Sequence, residues 1–121
     1  MNVLCSVFVR TASLYRVADA VKEVCEGFSV EGRKTMVILH GEDEKPEEER
    51  EAINVYVNFD GELQLLFSVI SLNEKIKAIH VLRDTESFVV EECITTADLV
   101  YDLIEILLEK FGWNNVKWLL L

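Results

Sequence analysis

The chain opens with apolar positions that predict a strand, a helix and a second strand. Asn2 to Val9 is a nearly continuous apolar run rich in β-branched valine, which is typical of a buried strand. Between Leu14 and Cys25 apolar residues recur every three or four positions, which predicts a helix that begins near Thr11 or Ser13. Thr35 to Leu39 is again almost continuously apolar and predicts a strand covered on both faces.

The strongest short-range signal is Asp60-Gly61, which lies between two strand-like runs, Ala52 to Phe59 and Glu62 to Ile70. Such a pair between two such runs predicts a β-hairpin. With a two-residue turn, Val55 would face Leu66. The residues on the other face are then also largely apolar, namely Tyr56, Leu63, Leu65, Phe67 and Val69. We therefore predict a hairpin that is apolar on both faces.

Residues 72–83 are compatible with two structures. They could form a short helix that begins with a capping box at Ser71 to Glu74. They could instead form a strand that makes a hairpin with Phe88 to Ile94. We favour a strand over Lys77 to Arg83, preceded by a brief helical turn.

The last part of the chain predicts a long helix and a final strand. Thr96, or Thr95 with Asp98, caps a helix that runs to about Phe111 and stops at Gly112. Its apolar residues cover more than half of its circumference, and one core-facing stripe would need fewer. Val116 to Leu121 predicts a strand, although a tail that docks into a partner would have the same composition.

These elements predict a single α+β domain over residues 1–121, in the order β-α-β-β-β-(β or α)-β-α-β. We expect one mixed, mostly antiparallel sheet of about five to six strands with two main helices. The chain has 121 residues, the usual size of one domain, and neither a repeat nor a linker marks a second one.

Charge identifies one unusual segment and excludes two classes of partner. The chain has 12 basic and 22 acidic residues, a net charge of −10. Seven of the acids lie between Glu42 and Glu51, which predicts a mobile acidic loop at about 41–51 because like charges repel. No basic stripe remains for a phosphate backbone or an anionic lipid surface, so we expect neither nucleic acid nor membrane as a partner.

The cysteines indicate a reducing compartment. Cys5, Cys25 and Cys93 are odd in number, widely spaced and each within an apolar segment, so we expect buried thiols rather than a disulfide framework. The apolar start, Met1 to Val9, lacks a basic n-region and is too short for a signal peptide or a bilayer span. We predict a soluble, cytoplasmic protein.

Candidate chemistry is sparse. The histidines, His40 and His80, lack the close ligand pairs of a metal site, so we expect no metal and no cofactor. In the hairpin alternative for residues 76–94, His80 would face Glu91 with Cys93 diagonal to it. A cysteine beside a histidine and a carboxylate occurs in nucleophilic enzymes, which makes a small hydrolase-type enzyme using Cys93 and His80 our third hypothesis. We assign no catalytic residue.

The segment Val7 to Val17, which reads Val-Phe-Val-Arg-Thr-Ala-Ser-Leu-Tyr-Arg-Val, resembles the opening strand, loop and helix of an ACT ligand-sensing domain. Those domains place a leucine at the start of the first helix, where this chain has Leu14. The glycine usual before that leucine is Ser13 here, and the later strands depart from the ACT order, so the sequence assigns no family. The resemblance implies a small-molecule sensor with a pocket between subunits, our second hypothesis.

Our leading hypothesis is a non-enzymatic protein-interaction or regulatory module that acts as a homodimer, with another copy or another protein as its partner. A chain of 121 residues has too few helices to cover both faces of a sheet, and monomers rarely expose large apolar patches. The candidate interface residues are Tyr56, Leu65, Phe67, Val69, Trp113 and Trp118.

Overall fold

The computed structural model describes residues 3–25, 29–39, 48–59, 61–82 and 96–120. In chain order these ranges form β1 (Val3–Arg10), α1 (Leu14–Val24), β2 (Ser29–Leu39), β3 (Glu48–Phe59), β4 (Glu62–Ser71), β5 (Ile76–Leu82), α2 (Thr96–Phe111), a short 3-10 helix (Trp113–Asn115) and β6 (Val116–Leu120). The predicted α+β class is confirmed. The predicted strand Phe88 to Ile94 lies outside the described residues.

The six described strands form one sheet in the order β2-β3-β4-β5-β1-β6. Every described pairing is antiparallel, so the sheet is not mixed over this part of the chain. β2 to β5 form a continuous meander, and β1 lies between β5 and β6. Three strands therefore separate β1 from β2, because the meander fills the sheet between them. The interior position of β1 explains its apolar sequence, since Cys5, Val7 and Val9 are fully buried.

Both described helices pack on the same face of the sheet. Ser13 caps α1, where its hydroxyl accepts a hydrogen bond from the backbone N–H of Arg16 at 3.2 Å. α2 lies against α1 as well as against β1 and β6. Because α2 packs against both α1 and the sheet, its wide apolar surface is largely buried within the chain. The largest fully buried side chains of this core are Phe67, Ile79, Leu103 and Leu107.

The β3–β4 hairpin forms as predicted near its turn and differs further along. The chain turns through Gly61, whose φ of +90° lies in the region that favours glycine. From the turn to Tyr56 the predicted register is confirmed, but the register then shifts, so Val55 pairs with Phe67 instead of Leu66. The extra residue in β4 is a β-bulge. It moves Phe67 to the helix-covered face of the sheet.

Residues 76–82 form a strand, which confirms the favoured alternative for this segment. The turn before it is not helical, and the predicted capping box at Ser71 to Glu74 does not form. Instead, the side-chain oxygen of Asn73 accepts hydrogen bonds from the backbone N–H groups of Lys75 at 2.8 Å and Ile76 at 2.9 Å. An asparagine side chain that bonds the backbone two or three residues ahead stabilises a turn in place of a helix start.

β3 begins inside the predicted acidic loop. Glu48 to Glu51 pair with Met36 to Leu39 of β2, so the loop prediction is wrong for residues 48–51. Ladder hydrogen bonds join backbone groups, and the acidic composition of this segment does not prevent them. The rest of the predicted loop, residues 41–47, lies outside the described residues.

Candidate interaction surface

Two of the predicted interface residues lie in the core. Phe67 and Val69 are each 0% exposed and pack beneath the helices. The prediction that they face a partner is wrong, because the bulge in β4 reverses the face on which they lie.

Tyr56 and Leu65 do lie on the face of the sheet opposite the two described helices, which we call the helix-free face with reference to the described residues. They pair directly with each other across β3 and β4, on the face opposite the buried Val55 and Val57. Both are half-buried in the single chain. They offer a partner only part of their surface.

The two tryptophans are the most accessible of the predicted residues. Trp113 is 76% exposed in the 3-10 helix, and Trp118 is 44% exposed in β6. The turn between α2 and β6 passes through Gly112, with φ +87° and ψ 156°, a conformation that is essentially restricted to glycine. The side-chain amide of Asn115 donates to the carbonyl of Phe111 at 2.7 Å and fixes this turn. The turn returns the chain from α2 to the sheet beside β1.

β6 is an edge strand of the described sheet. Among the described strands its one partner is β1, from Val9 opposite Val116 to Cys5 opposite Leu120. Lys117, Trp118 and Leu119 follow one another and are all exposed, Leu119 at 55%. Successive side chains of a strand point to opposite faces, so the strand is accessible from both sides. We call these three residues together with the unpaired edge of β6 the C-terminal edge.

The C-terminal edge is apolar and carries little charge. Lys117 is the only charged residue of β6, in a chain whose net charge is −10. The opposite edge of the sheet, β2, contains Glu31, Arg33 and Lys34 in its sequence. Charged residues on an edge strand discourage pairing with another chain. The two edge strands of the described sheet therefore differ in sequence, and β6 has fewer charged residues than β2.

A row of polar side chains crosses the middle of the helix-free face, one from each of four neighbouring strands. Asn54, Ser68, His80 and Ser6 face one another in succession. The Oγ of Ser6 lies 2.9 Å from Nδ1 of His80, and the Oγ of Ser68 donates to Oδ1 of Asn54 at 2.8 Å. Burial lowers the pKa of His80. The row fixes strand register, because a slip of one residue would turn these polar groups into the apolar core.

The geometry on which the catalytic hypothesis depended does not form. β5 has β1 on one side and β4 on the other, so no third strand can pair with it. His80 faces Ser6 and Ser68 instead of Glu91, and Ala78 faces Phe8 and Ile70. Cys93 lies outside the described residues. Sequence reasoning missed the Ser6–His80 pair because it gave β5 the wrong neighbour.

The remaining candidate groups are buried or paired. Cys5 and Cys25 are buried free thiols, and burial raises the pKa of both, that of Cys25 to about 12. Among the described residues no cluster of three or more His, Cys, Asp or Glu could hold a metal ion. Within the same ranges no helix has the length and apolar composition needed to cross a membrane.

An open groove of about 250 Å³ lies between α1 and α2. The guanidinium of Arg16 stacks 4.9 Å from the ring centre of Phe111, and Nζ of Lys110 lies 2.8 Å from Oε2 of Glu23. These charged groups already have partners within the chain. The groove is lined by residues of α1 and α2 of a single chain.

Comparisons with protein-family models, with curated proteins and with solved structures find no match to this chain.

Proposed function

We propose that this protein is a non-enzymatic protein-interaction or regulatory module that acts as a homodimer joined through its C-terminal edge. The observation that supports this proposal is the exposure of Lys117, Trp118 and Leu119 on a strand that has one neighbour among the described strands. An edge strand presents a row of backbone N–H and C=O groups, and a second strand can satisfy them.

The C-terminal edge lacks most of the devices that prevent edge pairing. β6 contains no proline, and its register with β1 runs without a bulge. Its one charged residue, Lys117, is the only such device in its sequence. Exposed Trp118 and Leu119 would lose apolar surface to a partner on either side of the sheet.

A second copy fits this edge with a single surface. Two antiparallel strands related by a two-fold axis use the same residues on both sides, so no second complementary surface is needed. Another protein that supplied an extended strand would use the same backbone groups. Sedimentation of the purified chain distinguishes the two cases, because only pairing with a second copy gives a dimer.

The expected association is weak. β6 has five residues, and a contact this short falls below the size of standard stable interfaces, so we expect a dissociation constant on the order of 1–100 µM. A pair of facing aromatic rings adds about 0.5–1.5 kcal/mol beyond its buried area. Each copy carries a charge of −10, so added salt should screen their repulsion and strengthen the dimer.

Sedimentation velocity over a concentration series tests the proposal. The wild-type chain should shift from monomer to dimer as its concentration rises. Trp118→Lys introduces the charge that natural edges use and should weaken the dimer by at least about tenfold. Tyr15→Lys is the matched control, because Tyr15 is 56% exposed on α1, which packs over β2 to β4. This control should leave the dimer unchanged.

A wild-type chain that stays monomeric at every concentration would show that the module does not pair with itself. Equal weakening by Trp118→Lys and Tyr15→Lys would move the interface away from the C-terminal edge.

A further inference from the structure

The register of the proposed dimer can be derived from the way β6 pairs with β1. Val116 and Trp118 face Val9 and Val7, which are buried on the helix side. Lys117 and Leu119 face Phe8 and Ser6 on the helix-free side. Directly opposed residues in an antiparallel pair share a face. Trp118 therefore lies on the helix side, and Lys117 and Leu119 lie on the other.

A two-fold axis that joins two β6 strands must stand perpendicular to the sheet, since only this axis gives antiparallel neighbours within one sheet. It keeps the helices of both copies on one face. A residue of β6 can then oppose only a residue from its own face in the partner subunit. The axis must therefore pass beside one residue of β6. That residue faces the same residue of the partner subunit.

The residue beside which the axis passes can be chosen from the charges that would face each other and from the number of β6 residues that would be paired. An axis at Lys117 would oppose two like charges, which destabilises a cross-strand pair, and it would align only three residues of each β6. An axis at Leu119 would also align three residues of this strand and leave its first two without partners. An axis at Trp118 aligns all five residues, Val116 to Leu120.

We infer that the two-fold axis passes beside Trp118, so that each Trp118 faces Trp118 of the partner subunit and each Lys117 faces Leu119 of the partner subunit. This inference rests on the proposed function and specifies its geometry. Two six-stranded sheets then form one continuous antiparallel sheet of twelve strands. On the helix side the two indoles are neighbours, and on the other side each lysine stem lies along a leucine.

Cysteine cross-linking tests the register. Directly opposed residues have Cα atoms about 4.5–5.5 Å apart, within disulfide reach, while residues shifted by two positions are about 7–8 Å apart at the closest. Trp118→Cys, Lys117→Cys and Leu119→Cys would each be oxidised in air with copper phenanthroline, alone and in mixtures. Non-reducing mass measurement then identifies the covalent dimers. The parent chain gives the background from its own three cysteines.

Trp118→Cys should form a covalent dimer by itself. Lys117→Cys and Leu119→Cys should each stay at the background level alone and form the covalent dimer when mixed. The mixed pair keeps Trp118, so it remains informative even if Trp118→Cys weakens association.

A covalent dimer of Lys117→Cys alone, or of Leu119→Cys alone, would move the axis to that residue and overturn the register. A dimer in sedimentation with no specific cross-link at any of the three positions would overturn the register and leave the proposed homodimer standing. A chain that sediments only as a monomer would remove both.

Discussion

The β3–β4 hairpin and β6 are both rich in apolar residues but have different environments. Both contain large apolar residues in succession, and from the sequence we predicted interface residues in both. In the hairpin, β3 also pairs with β2, and β4 also pairs with β5. A bulge in β4 places Phe67 and Val69 beneath the helices. In the described part of the sheet β6 has one neighbour, and Trp118 and Leu119 are exposed. The difference shows that the position of a strand in the sheet and the face that a residue occupies, more than side-chain hydrophobicity, decide which apolar residues remain accessible.

The largest expected effect comes from removing a buried side chain of the β3–β4 hairpin. Phe67→Ala should lower the free energy of unfolding by about 3–5 kcal/mol, because Phe67 is fully buried and its loss leaves a cavity. Urea denaturation measures this change, at a protein concentration below that at which the proposed dimer forms. Tyr101→Ala, at an exposed position of α2, should change stability by less than about 0.5 kcal/mol. Similar losses in the two variants would contradict the placement of Phe67 in the core.

A smaller effect is expected at the turn that leads into β6. Gly112→Ala should cost on the order of 1–3 kcal/mol, since the backbone conformation at Gly112 is strained for any residue with a Cβ. The strain comes from the backbone and not from crowding, because the nearest atom to an added Cβ is Nδ2 of Asn115 at 3.9 Å. Thermal unfolding measures the loss. An unchanged midpoint would mean that the turn can relax without disturbing β6.

The middle of the sheet should respond to acid through His80. Its pKa is lowered by burial, so the folded chain keeps His80 neutral while the unfolded chain takes up a proton near the ordinary value of about 6.5. His80 therefore contributes no pH dependence above that value. As the pH falls from the pKa of His80 in the unfolded chain towards its lowered pKa in the folded chain, His80 lowers the free energy of unfolding.

His80→Asn isolates this contribution, because asparagine cannot be protonated and keeps an acceptor near the hydroxyl of Ser6. Urea denaturation at pH 7.5 and pH 5.5 should show a larger loss of stability in the wild type than in His80→Asn. Equal losses in the two chains would assign the acid sensitivity to other groups.

The sequence was sufficient for elements whose signals are local. Ser13 caps α1, Gly112 ends α2, and Gly61 turns the hairpin, each because one residue supplies a hydrogen bond or a backbone conformation that the element requires. The α+β class followed from the apolar periodicity.

Features that depend on distant parts of the chain could not be predicted. The bulge opposite Val55 depends on how β4 packs beneath the helices, and the neighbours of β5 depend on β1, about seventy positions away in sequence. The strand at Glu48 to Glu51 depends on the partner that Met36 to Leu39 provide, and its acidic composition concealed it. For the proposed interaction surface, the sequence predicted Trp118 but could not show that β6 is an edge strand of the described sheet.

Amide hydrogen exchange at two protein concentrations tests most directly whether β6 pairs with a second copy. In the monomer, the N–H groups on the outer side of β6 have no partner strand among the described residues, so they should exchange quickly. Above the dimer concentration, a paired C-terminal edge predicts slower exchange in this segment and unchanged exchange in β2, the other edge of the sheet. Exchange in β6 that is the same at both concentrations, in a sample shown by sedimentation to have dimerised, would contradict pairing through β6.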